Sequence, residues 1–325
     1  MYKSEIGKLF EHCLKCLRKT RIPLFSCKFS KRTYTQHQHL SLLVLKTYMN
    51  LGYRETSDLA HELWSALATL ELPKVPHFTT LQKFFERMPS RWLEILLNRV
   101  LHHYNSIKYL AIDSTGLSAG RTSKYFQMRM GRKVLSSNFL KMSLLLDVKR
   151  RLPVAVCCHN RQRHDNRDLL PLLNKIDKPV EYFLADKAYD SEAAFAAIKE
   201  RGIKPIIPVR IGSLMVYGRL RNEMIDKWAT HPTVEKQYHQ RSLIESFFSA
   251  VKRRFGEEVK SRLWNLQRRE AMLKVLVYSL SRKTGSAAPL EVFYRAEARR
   301  DSNGNVQNSR PCRRIEHQDN GRHAA

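Results

Sequence analysis

Apolar residues recur at helical spacing through the first hundred positions of the chain. HLSLLVLKTYMNL (39–51) predicts one helix, GYRETSDLAHELWSALATLEL (52–72) restarts after a glycine, and TTLQKFFERM (79–88) follows a proline-containing break. Thr56 or Ser57, placed before Asp58 and an apolar stripe, is read as the N-cap of the second helix. The pattern then changes period. SIKYLAID (106–113) predicts a strand, while KMSLLLDV (141–148), the turn KRRLP and VAVCCH (154–159) predict a hairpin. Strand and helix alternate after that. HDNRDLLPLLNKI (164–176) is helical with Asp165 or Asn166 as its cap, and VEYFLAD (180–186) returns to strand. SEAAFAAIKERG (191–202) is a helix stopped by glycine, GIKPIIPVR (202–210) a strand, and EKQYHQRSLIESFFSAVKRRFG (235–256) one long amphipathic helix.

This order predicts a helical segment over residues 1–100, an α/β segment over 101–290 and, from about Arg299 onward, sequence with almost no apolar content. Residues 291–325 are therefore expected to form a disordered basic tail. The N-terminal helices are compatible with a helix-turn-helix DNA reader, with TTLQKFFERM as recognition helix; a helical packing or dimerisation domain fits them equally well.

Charge narrows the choice of partner. The 325-residue chain has 58 Lys and Arg against 30 Asp and Glu, a formal net charge of +28, with an isoelectric point near 10.1. That excess points to a polyanion. No run of roughly 18 apolar residues is present, and MYKSEIGKLFEHC lacks the pattern of a signal peptide. Nucleic acid is thus favoured over membrane, in the cytoplasm. Six scattered cysteines form no disulfide framework and are read as reduced thiols. Cys13 and Cys16, with Cys27 downstream, lack the second close pair that a zinc ribbon supplies.

In so basic a chain, acids at the ends of apolar strands stand out, and Asp113 and Asp186 are two of them. A third candidate lies on the long helix. At about 100° per residue, Tyr238, Arg241, Glu245 and Lys252 fall within roughly 60° of one another. Leu243, Ile244, Phe247, Phe248, Val251 and Phe255 take the flanking and opposite arc, so Glu245 sits at the border of a packed face. Several convergent acids are what two-metal phosphodiester chemistry requires. Taken alone, Arg241 and Glu245 are equally well a surface i,i+4 ion pair, and Lys252-Arg253-Arg254 a solvated helix end. Asp147, Asp165, Asp168 and Asp190 are read as turn, cap or ion-pair residues, with His164-Asp165 the pair of most interest. The four tryptophans, Trp64, Trp92, Trp228 and Trp264, are read as core anchors.

The spacing Tyr238-x2-Arg241-x3-Glu245-x6-Lys252 resembles the YREK signature of DDE transposases of the insertion-sequence four/five superfamily. YLAIDST around Asp113 and FLADKAYDS around Asp186 are similar to the segments that carry the family's first and second acids, with Ala188 where many relatives have glycine. The resemblance covers residues from about 105 to 285. It implies a ribonuclease-H-like mixed sheet flanked by helices and preceded by a helical domain that binds transposon ends. It implies catalytic and metal-binding roles for Asp113, Asp186 and Glu245, two Mg²⁺ ions for which Mn²⁺ can substitute, and phosphate contacts from Tyr238, Arg241 and Lys252. The implied reaction cleaves double-stranded DNA at element ends and joins the 3′-hydroxyls to target DNA. It is carried out by a homodimer with one active site per end, in the nucleoid of a prokaryotic cytoplasm. A non-catalytic helix-turn-helix regulator and a decayed transposase copy are the alternatives that sequence leaves open.

Overall fold

The computed structural model of the chain describes residues 5–65, 67–100, 104–119, 139–161, 163–210 and 218–285. The tail expected over 291–325, with Cys312, lies outside the described residues.

The first hundred positions are helical, as their spacing predicts: α1 (Glu5–Arg18), α2 (Gln36–Tyr48), α3 (Tyr53–Glu62), α4 (Phe78–Arg87) and α5 (Arg91–Val100). One cap differs from expectation. Helix α3 begins at Tyr53, and the Glu55 carboxylate accepts the Gly52 N–H at 2.7 Å. Thr56 and Ser57 lie inside the first turns, buried, with their hydroxyls donating to backbone carbonyls of Gly52 and Pro76. Glu55, three residues past the glycine, supplies the side chain that the cap itself lacks. Trp64 departs too: α3 stops at Glu62, so the indole falls in the following turn, 43% exposed. Trp92, Trp228 and Trp264 pack partly buried against the core.

The sheet is built from β1 (Ile107–Ala119), β2 (Phe139–Asp147), β3 (Leu152–His159), β4 (Val180–Leu184), β5 (Lys204–Ile206) and the short β6 (Glu258–Val259). Their order is β3-β2-β1-β4-β5, with β6 beside the end of β1. The first three strands run antiparallel, and β4 and β5 run parallel to β1. This is the ribonuclease-H-like mixed sheet that the resemblance implies. Helices α6 (Asn166–Leu173), α7 (Glu192–Lys199), α8 (Arg219–Thr230), α9 (Pro232–His239), α10 (Ser242–Phe255) and α11 (Trp264–Thr284) follow or interleave the strands. No described helix is long and apolar enough to cross a membrane.

The long helix read over 235–256 is two helices. Between α9 and α10 the bonds tighten to i→i−3, with Arg241 N–H donating to Tyr238 and Leu243 N–H to Gln240. The tighter turn advances the chain faster than 100° per residue. Tyr238 therefore belongs to α9, Arg241 lies in the turn between the helices, and Glu245 and Lys252 follow in α10.

Helix α11 is what joins the parts. Leu273, Val275, Leu276, Val277 and Leu280 are almost wholly buried, and the helix packs on α1, α2 and α5 as well as on β2, β3 and β6. The Lys274 ammonium, 4% exposed, donates to the carbonyls of Gly256 and Glu258, tying the helix to β6. Residues 1–286 consequently form one compact unit. Leu276→Ala is expected to cost about 2–5 kcal/mol. In urea, far-UV circular dichroism and tryptophan fluorescence should then shift together, to one lower midpoint. Two separated transitions would show that the helices and the sheet unfold independently.

Candidate active site

Asp113 and Asp186 owe their proximity to strand register. Ala111 of β1 pairs with Leu184 of β4, and each aspartate stands two residues further along its parallel strand direction. Ala111, Ile112, Leu184 and Ala185 are buried, so an apolar run seats each strand ahead of its acid; Asp186 follows the end of β4, whereas Asp113, expected at a strand end, lies within β1, which pairs with β2 as far as Ser118. Each carboxylate is oriented by its own backbone. Asp113 Oδ1 accepts the Ser114 N–H at 2.8 Å, and Asp186 Oδ1 accepts the Ala188 N–H at 2.9 Å, capping a turn of 3-10 helix over Lys187–Tyr189.

Glu245 comes from the first turn of α10, which packs on β1 through a face that includes Ile244, Phe247, Phe248 and Val251. Between the acids lies Arg241. Its guanidinium is 3.3 Å from Asp113 Oδ2 and also donates to Glu245 Oε1. Asp113 and Glu245 line one open cleft of about 530 Å³ with Ser114, Thr115, Lys252 and Arg253.

Electrostatics agree with the geometry. Burial pushes the Asp113 carboxyl up to about 6, and the charges of Asp186 and Glu245 add to that, against the Ser114 N–H and Arg241. Burial also raises Tyr189, assisted by Asp165, Asp113, Asp186 and Asp168. Its hydroxyl, buried among these acids, has no hydrogen-bond partner among the described residues. The segment beyond Asp186 is anchored by Asp190, which Arg221 of α8 grips through Nε at 2.8 Å and Nη2 at 2.7 Å, both side chains buried.

Of the residues singled out from the sequence, the structure groups Asp113, Asp186, Arg241 and Glu245, and places Lys252 in the same cleft. Tyr238 stands apart from the cleft wall, 5.4 Å edge-on to Trp228 and 6.0 Å beneath the Arg241 guanidinium. Ser114, Thr115 and Arg253 were not singled out. For Ser114 and Thr115, adjacency to Asp113 in DST was the available signal. Asp147 and Asp190 are ion-paired as read. Asp165 flanks α6 but makes no side-chain cap bond, and its carboxylate instead takes Ser114 and Lys141. Cys157, His159 and Asp168 bring ligand atoms within 4.8 Å of one another. Arg163 at 3.0 Å and Lys141 at 3.5 Å already neutralise Asp168, so this is a buried charge cluster filled by the protein's own cations.

Residues 105–280 match the family model described as the transposase DDE domain, which spans the strands and helices that carry all these residues. The chain belongs to this family of DDE transposases. An uncharacterized protein of Aquifex aeolicus (strain VF5) is 25% identical over 238 residues, 70% of each chain. Among solved structures, this DDE transposase resembles the Mos1 strand transfer complex at 11% identity, over 73% of this chain and 83% of that one, with a TM-score of 0.23. It also resembles a pre-cleavage Mos1 transpososome at 9% identity, over 76% and 86%, with a TM-score of 0.22. Both likenesses are too distant to carry weight, and the fold assignment rests on strand order and direction.

The donor set fits a hard divalent cation. Asp113, Asp186 and Glu245 offer only oxygens, and their mutual repulsion is offset by Arg241 at Asp113 and Glu245. A testable consequence concerns the metal-free transposase. Because folding raises the Asp113 carboxyl from its ordinary 3.8 to about 6, the folded chain holds that proton more tightly than the unfolded one. The resulting stability is full below about pH 4 and lost as pH rises to about 6. Above that, ionised Asp113 costs on the order of 1–3 kcal/mol. In EDTA, Asp113→Asn should therefore melt higher than wild type at pH 7.5, and the gap should close by pH 4. A wild-type advantage at pH 7.5 would contradict the assigned shift.

Proposed function

We propose that the chain cleaves double-stranded DNA at insertion-sequence ends and joins the freed 3′-hydroxyls to target DNA, with Asp113, Asp186 and Glu245 as its catalytic, metal-binding acids. The observation that carries this reading is their convergence: the middle of β1, the end of β4 and the first turn of α10 bring three carboxylates close enough to raise the Asp113 carboxyl, beside a cleft that also presents Lys252 and Arg253. The positions of Tyr238, Arg241, Glu245 and Lys252 support membership of the insertion-sequence four/five superfamily.

Two Mg²⁺ ions, for which Mn²⁺ can substitute, would supply an activated water and a stabilised leaving oxygen when bound by the three acids. Water adds to the phosphorus at the element end as the bond to the 3′ oxygen breaks. That 3′-hydroxyl then attacks a target phosphodiester, forming one P–O bond as another breaks. Arg241 holds Asp113 and Glu245 near each other against their repulsion, so the acids are assembled in advance of substrate. Lys252 and Arg253, on the cleft wall, neutralise phosphates and so position DNA without reading its sequence. Tyr238 acts through Arg241, packed beneath its guanidinium. The exposed polar face of α4, with Gln82, Lys83 and Arg87, is the surface we assign to reading the element ends. A homodimer, one site per DNA end, is the working assembly.

The decisive assay is nicking of a supercoiled plasmid carrying the native element ends. Wild type should nick with Mg²⁺ or Mn²⁺. Asp113→Asn, Asp186→Asn and Glu245→Gln should still bind but nick slower by on the order of 10³-fold or more. Wild-type binding without nicking in either metal would favour a regulator or a decayed copy, and equal nicking by the variants would refute the site.

Charge at the cleft has a separate signature. Lys252→Ala and Arg253→Ala should each weaken binding to any duplex and lower the slope of log K against log salt by about one. An unchanged slope would remove that residue from the DNA path.

A further inference from the structure

Strand β2 is buried along nearly its whole length, yet it carries Lys141 and Ser143. Both side chains are spoken for by α6 and the residues before it. Lys141 Nζ lies 2.5 Å from Asp165 Oδ1 and 3.5 Å from Asp168 Oδ2, and donates to the Arg163 carbonyl at 2.7 Å. Ser143 Oγ donates to Asp168 Oδ2 at 2.6 Å. Directly across the ladder from Ser143 is Ser114 of β1, whose Oγ donates to Asp165 Oδ1 at 2.7 Å. Two acids three residues apart thus grip two neighbouring strands through one serine each, with a buried lysine bridging both acids.

Ser114 follows Asp113. Successive side chains of a strand point to opposite faces, and here Ser114 is held by Asp165 from one side while Asp113 meets Arg241 on the other. The Ser114 N–H is also the donor that orients Asp113 Oδ1. Asp165 flanks the start of a helix, where an aspartate ordinarily caps; its carboxylate makes no cap bond and is directed at Ser114 and Lys141.

We propose that Asp165, fixed by Lys141, is a positioning residue that holds Ser114, and through it the Asp113 carboxylate, in its metal-binding orientation. The proposal rests on the assignment of Asp113 as a metal-binding acid. Outer partners that orient a ligand typically tune metal affinity or activity by 10–100-fold, and that sets the expected size of the effect.

The test compares Ser114→Ala, Ser114→Thr, Asp165→Ala and the Ser114→Ala/Asp165→Ala double variant with wild type and Asp113→Asn in the full chain. Mn²⁺ binding is followed by electron paramagnetic resonance, and melting temperature, DNA binding and single-turnover nicking are measured alongside. Ser114→Ala should keep wild-type melting and DNA binding, weaken Mn²⁺ binding about tenfold and slow nicking 10–100-fold. Ser114→Thr, which restores the hydroxyl, should recover both, and the double variant should be no worse than the poorer single. Wild-type Mn²⁺ affinity in Ser114→Ala, failure of threonine to rescue, or losses that multiply in the double variant would each overturn the proposal. Should Asp165→Ala melt early, the Ser114 pair decides alone. Absence of any wild-type Mn²⁺ binding that Asp113→Asn removes would overturn the metal-binding assignment itself, and the positioning role with it.

Discussion

Holding three carboxylates together against their own repulsion is the constraint on which the rest of this structure depends. Like charges in a partly buried site raise one another's pKa, and Asp113 carries that effect, pushed up to about 6 by burial and by its two neighbours. The fold meets the constraint in three ways. Parallel pairing of β1 with β4 places two acids at matching depth. Backbone N–H groups of Ser114 and Ala188 orient one oxygen of each aspartate. Arg241 then bridges Asp113 to Glu245 from the start of α10. Destabilisation at the acids is tolerated because the elements bearing them are seated by buried apolar residues on both sides.

That seating depends on α11. A helix hydrophobic on one stripe covers one neighbour, whereas one buried nearly all round stitches several together. Helix α11 reaches the N-terminal helices and the sheet at once, so α1–α5 and the strands carrying the acids are packed as one unit.

What sequence reveals follows from how local its causes are. Asp113 and Asp186 could be read because each ends a contiguous apolar run, and such runs make strands whatever their surroundings. Glu245 could be read from its fixed spacing to Arg241 and Lys252 within the segment that becomes α10. Tyr238 is displaced because a single tightened turn, costing little and leaving no residue signature, separates α9 from α10. The α3 cap was misplaced because Thr56 and Ser57 have the right side chains, but Glu55 supplies the bond and glycine tolerates the position. Helix α11 was hidden for the opposite reason. Its buried run, AMLKVLVYSLS, includes a lysine and serines that show no polar face, because carbonyls of Gly256 and Glu258 satisfy the lysine and carbonyls of the helix's own preceding turn take the serine hydroxyls. Asp165 was read as a cap from its neighbours in sequence, whereas its partners Ser114 and Lys141 are 51 and 24 residues away.

The same distinction alters what a net charge of +28 means. Several cations are already held by the protein's own acids and carbonyls. Arg241 is committed to Asp113 and Glu245, Arg221 to Asp190, Lys141 to Asp165 and Asp168, and Lys274 to two backbone carbonyls. A buried ion pair contributes little net stability compared with an apolar packing of equal volume, yet breaking one leaves a stranded charge. Such pairs therefore act chiefly as locks that penalise any displacement of the strands and loops they join. Lys252 and Arg253, by contrast, lie on the open cleft with no ion pair among the described contacts. Cations thus divide by burial into those that fix the acids and those that attract a polyanion, and only the second group should respond to salt, since screening acts weakly on buried pairs.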